Sequence, residues 1–105
     1  MPEPLPLSVV IVAKNEAHNL PRCLGSVQGW TTETVVALNA TTDESEAVSH
    51  SFGAVVHRVP WQGYRDTKNA ALALARCEWV LSLDADEWVS ADLRRELEAF
   101  FARGD

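Results

Sequence analysis

The stretch Trp79-Val80-Leu81-Ser82-Leu83-Asp84-Ala85-Asp86-Glu87 decides the fold. Its apolar first half has the length and composition of a buried strand, and it delivers three carboxylates to that strand's end. In an open α/β sheet, ligands bind just beyond the carboxyl ends of the strands. An Asp-x-Asp placed there suits a hard divalent ion that itself carries phosphates. In extended geometry Asp84 and Asp86, two residues apart, point the same way and can address one ion or one ligand, while Glu87 adds negative potential. A solvated strand end, whose acidic residues only keep the loop soluble, is the competing reading.

Working outward, strand and helix signals alternate along the chain. Residues 7–13 are a continuous β-branched and apolar run after a Pro-rich lead, which predicts a strand buried on both faces. A helix is expected from Asn19, with Pro21 in its first turn and Leu20, Leu24 and Val27 facing inward, until Gly29 stops it. Residues 34–38 predict a second strand, and Thr41-Thr42-Asp43-Glu44 supplies caps for a short helix carrying Val48 and Phe52. Gly53 turns the chain into a third strand, residues 54–59, which closes at Pro60. Trp61-Gln62-Gly63-Tyr64 reads as a loop with aromatic rings available. Asp66 or Thr67 can cap the next helix, whose residues 70–75 are apolar on every side and are expected to be deeply buried. The fourth strand covers residues 78–83. A last helix opens at Ser90, presents Leu93, Leu97, Phe100 and Phe101 on one face, and ends where Gly104 can serve as its cap. The expected fold is α/β: a single domain over residues 1–105, with a four-stranded, mostly parallel sheet and helices on both faces. Val10, Ile11, Val80 and Leu81 should be nearly inaccessible.

Composition narrows the function. Nine Lys and Arg against fifteen Asp and Glu give a formal charge of −6, a field that repels a phosphate backbone, so nucleic acid is not an expected partner. No apolar run approaches the ~20 residues that span a bilayer. The amino terminus, Met1-Pro2-Glu3-Pro4, lacks the basic region and apolar core of a signal peptide. No transmembrane segment and a cytoplasmic location follow as expectations. Cys23 and Cys77 are far apart and lack the close Cys or His partners of a zinc site, which predicts reduced thiols packed as small apolar residues. His18, His50 and His57 are too dispersed for a metal cluster and read as structural.

Lys68 makes a second, independent point. If the helix starts near Asp66, the ammonium sits in a first turn where the macrodipole is positive, at a cost of ~0.3–1 kcal/mol. A diphosphate at the helix start would offset that cost, because free backbone N–H groups and the lysine would converge on one anion. A surface lysine paired with Asp66 or Asp43 is the alternative. Asn15 and Glu16 leave the first strand on the same sheet edge as Asp84 and could hydrogen-bond a base or ribose, although Asn-Glu is also an ordinary way out of a strand.

With these residues in place, the chain resembles the nucleotide-binding half of a family-2 glycosyltransferase of the GT-A fold, most closely the bacterial enzymes that add sugars to lipopolysaccharide cores. The matching pieces come in order: residues 7–16 (LSVVIVAKNE), Asn19-Leu20, Cys23-Leu24, Thr42-Asp43, Gly53-Ala54, Trp61-x-Gly63-Tyr64, Lys68-Asn69-x-Ala71-Leu72, and the opening stretch 79–87. The resemblance implies a Rossmann-like sheet that ends here after the Asp-x-Asp strand and one further helix. It implies that Ala13 and Glu16 approach the nucleoside, that Lys68 lies near the diphosphate, that Asp84 lies near ribose or metal, and that Asp86 holds Mg²⁺ or Mn²⁺. Family members commonly end the second strand with an Asp that contacts the base; here that position is Leu38, and Asn39 offers an amide instead if the loop shifts by one residue. In the family, the acceptor-binding half and the general base lie beyond the Asp-x-Asp, so no catalytic base is assigned.

The resemblance implies an inverting transferase, or its donor-binding part, working in cell-envelope glycan synthesis from a nucleotide-diphospho-sugar. UDP is the first nucleotide to test, and the inner face of the membrane is a candidate location. Alone, the 105 residues are expected to bind the donor without transferring sugar at a useful rate. A non-catalytic nucleotide-sugar-binding or assembly domain is the alternative. A doubly wound regulatory domain binding Mg²⁺ fits the sheet but explains neither Lys68 nor the tryptophan loop. A homo-oligomer covering the sheet edge left bare is an arrangement the sequence leaves open.

Overall fold

The chain alternates strictly between strand and helix: β1 (Leu5–Ala13), α1 (Leu20–Gly25), β2 (Thr31–Leu38), α2 (Ser45–Ser51), β3 (Val55–Arg58), α3 (Tyr64–Leu72), β4 (Trp79–Asp84) and α4 (Ala91–Ala102). The structure, a computed structural model, describes residues 3–39 and 41–103. Gly104, the expected cap of α4, lies outside the described residues. All four strands are parallel in the order β3-β2-β1-β4. The chain therefore steps outward from β1 through β2 to β3, then crosses back to the far side of β1 for β4.

The β-branched run Val9-Val10-Ile11-Val12 sits at the centre of this sheet because it can be covered on both faces. Alternation divides its side chains between two cores. On one face Val9 and Ile11 join Leu20, Leu24, Val27, Val36, Leu38 and Leu83, with Leu93, Leu97 and Phe101 of α4 packed against them. On the other, Val10, Val35 and Ala37 are sealed by Ala71 of α3. Each fully buried aliphatic side chain contributes about 1.5–3 kcal/mol relative to exposure. Gly29 and Gly53 end their segments with φ of 90° and 77°, in the region a side chain disfavours.

Two expectations about burial need correction. Val80 is 38% exposed and Leu81 only half-buried, because β4 is an edge strand; Val80 lies outside the cluster that α3 seals. Residues 70–75 are not deeply buried: α3 lays a single stripe, Thr67 and Ala71, against the sheet and leaves Ala73 exposed. The Thr41-Thr42-Asp43-Glu44 run supplies the start of α2, through Asp43 and not through the side chain at the N-cap itself. Glu44 occupies the N-cap position without a side-chain bond, while the preceding Asp43 accepts from the Ser45 amide at 2.9 Å and the Ser45 hydroxyl at 2.6 Å. Ser90 does cap α4, accepting from the Leu93 amide at 3.1 Å.

The amino end of the sheet is closed by a polar knot. The fully buried Ser8 hydroxyl donates to Glu33 at 2.6 Å and accepts from the Cys77 amide at 3.0 Å, and the same Glu33 oxygen accepts from the Arg76 amide at 2.6 Å. This ties the loop entering β4 to the start of β1.

Candidate nucleotide site

The strand order reverses between β1 and β4, and an open α/β sheet opens a crevice at the carboxyl ends beside such a switch point. In register, Val12 faces Asp84 on one side and Ala13 faces Leu38 on the other. A cleft of about 430 Å³ opens there. Val12, Ala13 and Lys14 come from the end of β1, Asn39 from the end of β2, Trp61 from the loop after β3, Tyr64, Thr67 and Lys68 from α3, and Asp84 from the end of β4. A smaller hollow of about 270 Å³ shares Val12, Ala13, Lys14, Tyr64 and Asp84, and adds Glu16, Ala85 and Asp86. The structure thus gathers Ala13, Asn39, Lys68 and Asp84 round the larger space, and Glu16, Asp84 and Asp86 round the smaller.

Local chain geometry explains these placements. After β1, Asn15 adopts φ of 52°, a left-handed conformation that Asn tolerates better than most residues. Its side-chain oxygen accepts from the Thr42 amide at 2.8 Å and the Asp43 amide at 3.2 Å. Glu16 donates its amide to Ser45 and accepts from the Asn19 side chain at 2.8 Å. The loops after β1 and β2 are therefore clamped together as one rim. Leu38 is 1% exposed and belongs to the core, whereas Asn39 donates its amide to the Ala13 carbonyl at 2.9 Å and lines the cleft. Asn39 reaches that position by strand alternation, with no shift of the loop. Its side-chain nitrogen also donates to the Val59 carbonyl at 3.2 Å.

α3 begins earlier than expected, at Tyr64, after Gly63 with φ of 90°. The Thr67 hydroxyl accepts from the Gln62 amide at 2.8 Å instead of capping the start. Lys68 is therefore the fifth residue of the helix, past its first turn, and the macrodipole argument does not apply to it. What it meets is specific: the ammonium lies 3.4 Å from the Tyr64 hydroxyl and 3.4 Å from Asp84 Oδ1. Partial burial pulls the lysine pKa down, but the Tyr64 hydroxyl and the Asp84 carboxylate outweigh it and raise the pKa above its ordinary value. The lysine is cationic throughout the neutral range.

The carboxylates also differ from the extended picture. β4 ends at Asp84, and residues 85–86 form a turn in which the Glu87 amide donates back to the Asp84 carbonyl at 2.9 Å. Glu87 also accepts from the Asp84 amide at 2.7 Å. Asp84 and Asp86 share the smaller hollow because of this turn, without the alternation of a strand. Below them Cys23 is a free, buried thiol whose pKa is pushed up to about 12 by burial and then by Glu87, Asp86 and Asp84, so it is protonated and inert at neutral pH. Among the described residues no group of three His, Cys, Asp or Glu is assembled to hold a metal. Two carboxylates beside an open space are, however, the donor set of Mg²⁺-type sites, which take one or two carboxylates and complete their shell with phosphate oxygens and water. The residues fit such an ion in company with a phosphate ligand.

In the sequence alone, Lys14, Tyr64 and Thr67 have no place among the candidate site residues: Tyr64 reads only as part of an aromatic loop and Thr67 only as a helix cap. Tyr64 shares a helix face with Lys68, four residues on, only because α3 begins at Tyr64.

The sequence profile described as "Glycosyl transferase family 2" matches residues 8–105. An uncharacterized glycosyltransferase of Rickettsia conorii is 38% identical over 96 residues, covering 91% of this chain and 34% of that protein. The lipopolysaccharide core biosynthesis glycosyltransferase LpsC of Rhizobium meliloti is 32% identical over 106 residues, covering 96% of this chain and 39% of that protein. Among solved structures, the glucosyl-3-phosphoglycerate synthase of Mycobacterium tuberculosis, in complex with Mn²⁺, uridine diphosphate and glucosyl-3-phosphoglycerate, superposes with a TM-score of 0.62 at 25% identity, over 75% of this chain and 33% of that one. The chain thus spans about a third of the length of the relatives it matches.

Proposed function

The chain belongs to glycosyl transferase family 2 and has the GT-A fold, and from that premise we propose that its carboxyl-edge cleft binds the nucleotide-diphosphate part of a sugar donor together with a divalent metal. The observation that carries the reading is the convergence of Lys68, Asp84, Asn39 and the end of β1 on one cleft at the switch point, with Asp86 in the adjoining hollow. Each part has a task. The amide of Asn39 and the backbone at Ala13 face the nucleoside, with Glu16 at the rim of the smaller hollow. The Trp61 and Tyr64 rings, 61% and 66% exposed, offer flat apolar surface at the mouth. Lys68 supplies positive charge for the diphosphate.

Asp84 and Asp86 would hold Mg²⁺ or Mn²⁺, which when bound offsets the charge that builds on a departing nucleoside diphosphate. The reaction served is inverting transfer of the sugar to an acceptor hydroxyl. The likeness to LpsC, named for lipopolysaccharide core biosynthesis, favours an envelope glycan as acceptor, and the proposed place of work is the cytoplasm, at the inner face of the membrane. Among the described residues no helix is long and apolar enough to cross a membrane.

Calorimetry with uridine diphosphate and Mn²⁺ tests the reading. Wild type should bind the pair, and Asp86→Ala should weaken binding about tenfold, equivalent to about 1.4 kcal/mol. Equal heats for the two proteins would show that the metal reading is wrong.

A further inference from the structure

Resting on that nucleotide reading, we propose that Lys68 is an exchangeable counter-ion of Asp84: it neutralises this carboxylate while the cleft holds no donor, and passes to the diphosphate when a divalent cation takes its place. The pair's geometry suits exchange. At 3.4 Å it is longer than the ~2.7–2.9 Å of a tight charge-assisted hydrogen bond. The side chains are 27% and 52% exposed, so the attraction is weakened by solvent and is on the scale of a surface ion pair.

Position suits it as well. Asp84 lines both compartments, Lys68 only the larger and Asp86 only the smaller. A divalent ion held between Asp84 and Asp86 would sit next to the ammonium, and like charges so close repel. The lysine must then leave Asp84. The Tyr64 hydroxyl, 3.4 Å away, and the Tyr64 ring, whose centre is 5.4 Å from the ammonium, keep it inside the cleft. A diphosphate spanning the two compartments would give it a new partner. Metal alone must therefore displace the lysine without compensating it, whereas metal with diphosphate does both, so the two ligands bind as a couple.

Lys68→Met separates this role from a merely structural one, because the two ligands should respond with opposite signs. Binding of Mn²⁺ alone, followed by the electron paramagnetic resonance of the free ion, should tighten about two- to fivefold. Binding of uridine diphosphate with Mn²⁺, followed by calorimetry, should weaken about tenfold or more. Lys68→Arg, which keeps the charge, should restore the wild-type order of both. Lys68→Gln gives a second uncharged variant, and circular dichroism checks that α3 is intact in each. A wild-type chain that binds no uridine diphosphate with Mn²⁺ overturns the nucleotide reading and the exchange with it. A wild type that binds the pair, with uncharged variants that shift both ligands in one direction or neither ligand at all, overturns the exchange alone.

Discussion

At the amino end of the sheet, Glu33 spends one oxygen on the Ser8 hydroxyl and the Arg76 amide, both at 2.6 Å, while at the carboxyl end the half-exposed Asp84 carboxylate meets only the Lys68 ammonium, at 3.4 Å. Asp86, beside it, makes no hydrogen bond or ion pair among the described residues. The same side-chain chemistry is tied to the fold by two short hydrogen bonds at one end of the strands and left open at the other. A carboxylate that accepts from a buried hydroxyl and from the backbone of a distant loop holds the fold. One with free oxygens facing a cleft is available to a ligand. Under the proposed function, this difference corresponds to structure at one end of the sheet and binding at the other.

The largest expected effect that separates the ends is on stability. Glu33→Ala strips the acceptor from a buried hydroxyl and from a backbone amide, and should cost about 1–3 kcal/mol in urea unfolding with nucleotide affinity unchanged. Lost affinity at full stability would break the comparison. Trp61→Ala should do the reverse. It removes an exposed ring at the cleft mouth, so uridine diphosphate binding should weaken by about 0.5–1.5 kcal/mol, read by calorimetry, while the unfolding midpoint stays put.

The smallest effect concerns a carboxylate at the carboxyl end that is nonetheless structural. Asp43 is bound by the Ser45 hydroxyl and by the Ser45 and Ala17 amides, and these bonds hold its pKa below the ordinary 3.8 against a smaller opposing effect of desolvation. A lowered pKa contributes stability that is present above pH 3.8 and lost as pH falls through the folded value. Acid titration of wild type against Asp43→Asn should show the two stability curves converging below that pH, and a gap that persists there would contradict the assignment.

Much of this molecule was legible in its sequence, for identifiable reasons. The runs around Val10 and Leu83 announce strands because β-branched and apolar residues in short blocks have few other uses, and Ser90 announces α4 because its hydroxyl is placed to accept from Leu93. The position of Lys68 in its helix was not legible. Gly63 opens α3 early by adopting φ of 90°, and nothing in the order Gly-Tyr-Arg-Asp-Thr distinguishes that start from one at Asp66. The exposure of Val80 was hidden too, because an apolar residue reads the same on a central or an edge strand, and only the strand order decides. At the cleft, the place of Asp84 could be read from its position at a strand's end, whereas Lys68 was singled out by a first-turn argument that its actual place in α3 does not support. The clamp made by Asn15 was missed because its partners, Thr42 and Asp43, stand 27 and 28 residues away. Tyr64 went unassigned because its use depends on where the helix begins.

The most direct test of the division between the two ends is a backbone amide chemical-shift map recorded on adding uridine diphosphate with Mg²⁺. The predicted result is shifts confined to residues 13–16, Asn39, residues 61–68 and residues 84–87, with Ser8, Glu33, Arg76 and Cys77 unmoved. Shifts centred on the Ser8 and Glu33 knot, or none at the cleft under saturating ligand, would contradict it.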